Sequence, residues 1–229
     1  MKFTTVAATL SLLGLSSAHF EVLHPWWRGS SFVAPASQWN YPCAGVNETQ
    51  DPTNRTQWLS TGGSIKLSVS HAWALTYVNL GLGTNVSSFN ISLVNSFNQT
   101  GNGTFCLKET GKNALAAALA RIGLNSTSAT GRHGTLQIIQ IASTGASLFN
   151  CADITLNSTA ALLSDDDCRN STGVSGIPIV NADATRTNGS TAASGSPSPS
   201  KSPGAAANVR PMMGAGALVG LAGLVAAVL

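Results

Sequence analysis

An antiparallel β-sandwich with at most one or two short helices is the fold class this sequence predicts. Three observations support it. Apolar residues recur with a two-residue period in several short runs. Clusters of Gly, Asn, Ser and Thr separate those runs at short intervals, and four cysteines suffice for two disulfides.

The elements can be justified in order. Residues 64–70 (SIKLSVS) alternate Ile65, Leu67 and Val69 with polar neighbours, which is the pattern of a half-buried strand. Residues 72–82 form a second strand, rich in aromatic and β-branched side chains and ending at Gly81 and Gly83. Residues 89–94, 135–141 and 145–156 read as three more, and TLQIIQI at 135–141 predicts deeper burial than its neighbours. Residues 113–122 (NALAAALARI) are rich in helix formers and predict one short helix. No internal repeat is visible.

The two ends read as processing signals. Residues 1–18 open with one Lys, run through an apolar stretch and finish Ser16-Ser17-Ala18, the pattern of a secretory signal peptide. Residues 212–229 (MMGAGALVGLAGLVAAVL) are uncharged with no basic flank, which disfavours a transmembrane anchor. Small residues at 204–206, a short spacer with Arg210 and Pro211, and that apolar tail instead spell a signal for a glycosylphosphatidylinositol (GPI) anchor. Attachment falls between Ser202 and Asn208, with Gly204 as the assigned residue. The expected organisation is a signal peptide at 1–18, a folded domain at 19–184, a Ser/Thr/Pro-rich stalk at 185–204 and a removed anchor signal at 205–229. The folded part, roughly 165 residues, suffices for one hydrophobic core.

Residues 19–204 carry ten Lys and Arg against nine acids, a net charge of +1, so the basic balance gives no support to nucleic-acid binding. In a secreted chain Cys43, Cys106, Cys151 and Cys168 imply disulfides rather than metal thiolates. Three pairings are open, and Cys43–Cys151 with Cys106–Cys168 is preferred. Ten glycosylation sequons begin at Asn47, Asn54, Asn85, Asn90, Asn98, Asn102, Asn125, Asn157, Asn170 and Asn188. The expected product is a glycosylated, monomeric ectodomain.

Cleavage after Ala18 exposes His19 with a free α-amino group. An N-terminal histidine offers that amine and its imidazole Nδ1 to one metal, a donor pair that suits tetragonal Cu(II). A second imidazole must come from His24, His71 or His133. His24 lies five residues from His19, on the opposite face of an extended chain, and precedes Pro25-Trp26, where packing is a sufficient role. His133 sits in a Gly-Arg-His-Gly turn that faces solvent. His71 lies where one strand pattern gives way to the next, a rigid place for a ligand, although a lone histidine there is as often structural. Asp153 is an acid inside an apolar strand, and a buried carboxylate needs a cation or several donors. A metal is one partner for it; Arg28 or backbone donors are the other. Asp165-Asp166-Asp167 reads as a solvated charge run rather than a calcium loop, and the five tryptophans read as packing residues.

In order along the chain stand the small-residue cleavage before His19-Phe20, PWWRGSSF at 25–32, Tyr41-Pro42-Cys43, His71, Cys106, and Asn150-Cys151-Ala152-Asp153. Together they resemble the fungal copper acquisition factor family, GPI-anchored relatives of lytic polysaccharide monooxygenases not thought to cleave polysaccharide. The resemblance covers most of residues 19–180. It implies an immunoglobulin-like sandwich with one Cu(II) ion at an edge, held by His19, His71 and Asp153. It also implies a membrane copper transporter as the receiving partner. A carboxylate in an equatorial position would hinder oxygen chemistry, so copper binding and delivery, without catalysis, is the leading expectation. A copper-dependent polysaccharide monooxygenase and a structural wall glycoprotein are the rivals.

Overall fold

A computed structural model describes residues 19–179. The signal peptide, stalk and anchor signal expected from the sequence, with Asn188 and Gly204, lie outside them. Nine strands and one α-helix follow in order: β1 (Phe20–His24), β2 (Thr56–Leu59), β3 (Ile65–Val69), β4 (Trp73–Leu82), β5 (Ile91–Thr100), β6 (Gly103–Leu107), α1 (Lys112–Arg121), β7 (His133–Ala142), β8 (Ser147–Asn157) and β9 (Ser175–Pro178).

They form two sheets, a three-stranded one in the order β1-β3-β6 and a six-stranded one in the order β2-β8-β7-β4-β5-β9. Every pairing is antiparallel except that of β2, which runs parallel to β8. Alternation explains how the sheets meet. Phe20, Val22, Ile65, Leu67, Val69 and Phe105 from the small sheet face Val78, Leu80, Leu136, Ile138, Leu148, Ile154 and Leu156 from the large one in a single buried cluster. Burying each such side chain contributes about 1.5–3 kcal/mol. Helix α1 adds Leu115 and Leu119, one turn apart, to this core.

The mostly β expectation holds, with differences of extent. The strand expected at 89–94 runs on to Thr100, because Phe97 and Gln99 continue the alternation with buried side chains. Strands β1, β2, β6 and β9, four or five residues each, were not expected. β9 is exposed along its whole length and gains its order from pairing with β5.

Strand β8 is buried at eight of its eleven positions because it is covered on both sides. Its core face meets the other sheet. Its outer face lies beneath the segment between β1 and β2, which donates Arg28 N–H to the Cys151 carbonyl and accepts Gln137 Nε2 at the Pro42 carbonyl. The Cys43–Cys151 disulfide staples that segment down across 108 residues of sequence, and Cys106–Cys168 secures the region after β8 to β6. Closing loops this long adds about 4 kcal/mol of stability each in the chain-entropy account.

Candidate metal centre

The antiparallel register of β1 with β3, Phe20 opposite Val69, brings the start of β1 beside the end of β3. His19 and Ser70 therefore lie next to each other. Ser70 N donates to the His19 carbonyl at 3.1 Å, Ser70 Oγ donates to the same oxygen at 2.6 Å, and His19 N donates to Ser70 Oγ at 2.9 Å. Phe20, the next residue, is clamped harder. Gln38 Oε1 accepts its N–H, while Gln38 Nε2 and Asn150 Nδ2 both donate to its carbonyl. Gln38 and Asn150 are almost fully buried. Sequence reasoning gave neither a role, since an isolated buried amide leaves no periodic signal.

His71 follows Ser70 and is 3% exposed. Burial pushes its pKa below the ordinary 6.5, and the charge of nearby His19 pushes the same way; Gln140, close to the ring, partly opposes them. The ring is therefore neutral at pH 7, the form in which imidazole binds metal. Its Nε2 and Gln140 Oε1 are both sealed from solvent and miss hydrogen-bonding geometry, although Gln140 lies close enough to the ring to favour its protonated form. Gln140 Nε2 is meanwhile anchored on Thr76 Oγ1 at 3.1 Å. The Phe32 ring stands edge-on to His19 at 5.5 Å and is itself backed by Trp27. Phe32 and Ser70 line a shallow cleft with His19, Phe20, Glu21 and Ser68.

The structure does not bring Asp153 to this place. Asn150, whose amide reaches Phe20, and Asp153 are three residues apart on β8, and so point to opposite faces of the sheet. On its own face Asp153 Oδ1 accepts from Arg28 Nε at 2.8 Å and Thr135 Oγ1 at 2.7 Å, and Oδ2 accepts from Thr49 N at 2.9 Å. Arg28 also reaches Glu48, which pairs with Arg55 at 2.6 Å. All four side chains are at most 6% exposed, so two cations and two anions are buried together. Of the two partners weighed for Asp153, Arg28 and backbone donors are the ones present. Among the described residues no three His, Cys, Asp or Glu side chains converge as a metal cage.

The other histidines lie elsewhere. His24 ends β1 opposite Lys66, and burial first, then the Lys66 charge, lowers its pKa. His133 begins β7, seven residues along the strand from Gln140. Of the nine described sequon asparagines, Asn47, Asn54, Asn85, Asn90, Asn102, Asn125 and Asn170 are exposed and Asn157 is half-buried. Asn98, also half-buried, stands within β5.

A model of the family described as "Copper acquisition factor BIM1-like" matches residues 17–173. The chain belongs to this family. Similar proteins include the "Lytic polysaccharide monooxygenase-like protein ham-7" of Neurospora crassa, 32% identical over 193 residues, covering 74% of this chain and 79% of that protein. "Lytic polysaccharide monooxygenase-like protein X325" of Aspergillus fumigatus is 32% identical over 205 residues, covering 74% of this chain and 80% of its own length. A protein of Emericella nidulans with the same general name is 28% identical over 206 residues.

A copper ion fits what this BIM1-like chain offers. His71 Nε2 is buried outside hydrogen-bonding geometry in a ring whose pKa burial lowers, and in the tautomer that leaves Nε2 unprotonated it could meet a cation. The neighbouring His19 imidazole would supply a second nitrogen. Nitrogen donors of this kind suit copper better than harder cations.

Proposed function

We propose that the protein is a cell-surface copper(II)-binding member of its family, working in copper acquisition and holding one ion between His19 and His71. The observation that carries this reading is the buried His71 Nε2, outside hydrogen-bonding geometry in a neutral ring, beside the residue expected to become the N-terminus. In the processed chain the His19 amine keeps a hydrogen for Ser70 Oγ and would offer its lone pair to the metal. Bound copper would supply a Lewis-acidic, redox-capable cation at that edge. The protein's own contribution is positional: Gln38 and Asn150 fix the Phe20 peptide, Ser70 fixes His19, and burial keeps His71 deprotonated. Asp153 serves in this reading as the ion-pair partner that holds Arg28, and with it the covering segment, onto β8. The signal peptide, the GPI anchor with attachment near Gly204, the sequon glycans, a monomeric state and a membrane transporter that receives copper complete the proposal.

With Asp153 engaged by Arg28, no carboxylate is assigned to the copper. The names of the relatives keep polysaccharide oxidation as the second reading. Copper titration of the secreted, processed protein with electron paramagnetic resonance tests the site. A comparison sample carries one extra residue before His19. We expect tight one-to-one binding with a multi-nitrogen tetragonal spectrum in the processed form only. Equal weak binding by both forms would sink the proposal. Oxidised oligosaccharide released with peroxide would move the function to the monooxygenase reading.

A further inference from the structure

The outer face of the large sheet carries an apolar cleft at the β4–β5–β9 edge. Strand alternation sends Ala74, Thr76 and Val78 into the core and Trp73 and Leu75 outward. Register sets Trp73 opposite Thr100, and Leu75 opposite Asn98, while across β5 Asn98 faces Ile177. The cleft, about 440 Å³, is lined by Ala72, Trp73, Leu75, Asn98, Thr100, Ile177 and Ile179. Trp73 is 41% exposed, Ile177 61% and Ile179 48%, a concentration of large apolar side chains that water does not favour.

Only two of the seven lining residues are polar, and they are the first and third residues of the sequon Asn98-Gln99-Thr100. Gln99, between them, is fully buried on the other side of the strand. The lining has no charge, so it suits a neutral occupant. A pyranose presents a polar rim and a face of C–H bonds, and that face packs on indole and branched aliphatic side chains.

We propose that Asn98 carries an N-linked glycan whose first sugars lie over Trp73, Ile177 and Ile179 and shield this face. In the transfer, the Asn98 carboxamide nitrogen forms the bond to the anomeric carbon of an oligosaccharide and loses a proton. The lipid-pyrophosphate carrier leaves. The inference rests on the secretory part of the proposed function, and adds to it which sequon has a structural task and what that task is.

The test uses the secreted full-length protein. Peptide mapping after amidase release in heavy-oxygen water reads occupancy at every sequon, and 8-anilinonaphthalene-1-sulfonate (ANS) fluorescence with sedimentation reads exposed apolar surface. We expect Asn98 to be occupied. Asn98→Gln and Thr100→Ala should each raise ANS fluorescence several-fold and promote self-association, with copper stoichiometry unchanged. Thr100→Ser keeps both the sequon and the 2.9 Å contact with Ser175 Oγ, and should behave as the parent. Vacant Asn98 with other sequons filled overturns this inference and leaves the secretory reading standing. All sequons vacant, with residues 1–18 retained, overturns both. Occupied Asn98 without any change in dye binding or association on its removal overturns the shielding role.

Discussion

Replacing Asp153 by Ala separates a metal ligand from a structural ion-pair partner. The substitution removes three hydrogen bonds at once, from Arg28, Thr135 and Thr49. It also leaves Arg28, 6% exposed, with only the 3.4 Å contact to Glu48 to balance its charge. Glu48 already serves Arg55 and the Val86 amide, so it cannot turn fully to Arg28. Breaking one partner out of a buried ion pair costs about 3–5 kcal/mol. With a urea dependence of about 2 kcal/mol/M, the unfolding midpoint should fall by roughly 2 M. Copper stoichiometry and the spectrum of the folded fraction should remain those of the parent, because the carboxylate lies on the far face of β8. Urea titration by tryptophan fluorescence, read beside copper binding, checks both halves. An unchanged midpoint with altered copper coordination would refute the reasoning and restore Asp153 as a ligand.

Four further outcomes follow from the same geometry. His71→Ala should lower copper affinity at least tenfold and simplify the spectrum, while circular dichroism stays that of the folded sandwich. Copper affinity should fall as pH drops from 7 to 4.5, since the α-amine, with a reference pKa of about 7.7–8.0, must lose its proton to bind; isothermal titration across that range would expose a flat response. His71 and His24 have folded pKa values below 6.5, so the unfolded chain binds more protons in acid. Stability of the copper-free protein is then full above about pH 6.5 and declines below it, which pH-dependent thermal melts can follow. Gly63→Ala would place a methyl carbon 2.5 Å from Trp58 Nε1, in a ring already fixed by its bond to the Ser64 carbonyl, and should cost about 1–3 kcal/mol in a denaturant melt.

The legible parts of the proposed site are those with a local signature. His19 is singled out by its place after an expected small-residue cleavage pattern, and His71 by its position between two strand patterns. Gln38, Gln140 and Asn150 were given no role, because a single buried amide in a loop or strand looks like any other polar residue until its partner is known. The Cys43–Cys151 and Cys106–Cys168 pairing was one of three open to the sequence, and chain folding selects it by bringing those positions within 5.1 and 5.3 Å between Cα atoms.

What residue order alone determined is the set of properties that depend on near neighbours: strand period, the Leu115/Leu119 stripe of the helix, sequon spacing and an uncharged tail. Which face of a long strand meets which partner depends on contacts across more than a hundred residues, such as Arg28 with Asp153. Asp153 shows the division plainly. Its apolar strand context signals burial and a need for compensating donors, but metal and guanidinium satisfy that need equally in one dimension. Only the packing of the segment between β1 and β2 across the outer face of β8 decides for Arg28, because side-chain alternation turns Asp153 away from the strand face that Asn150 shares with Phe20 and the start of β1.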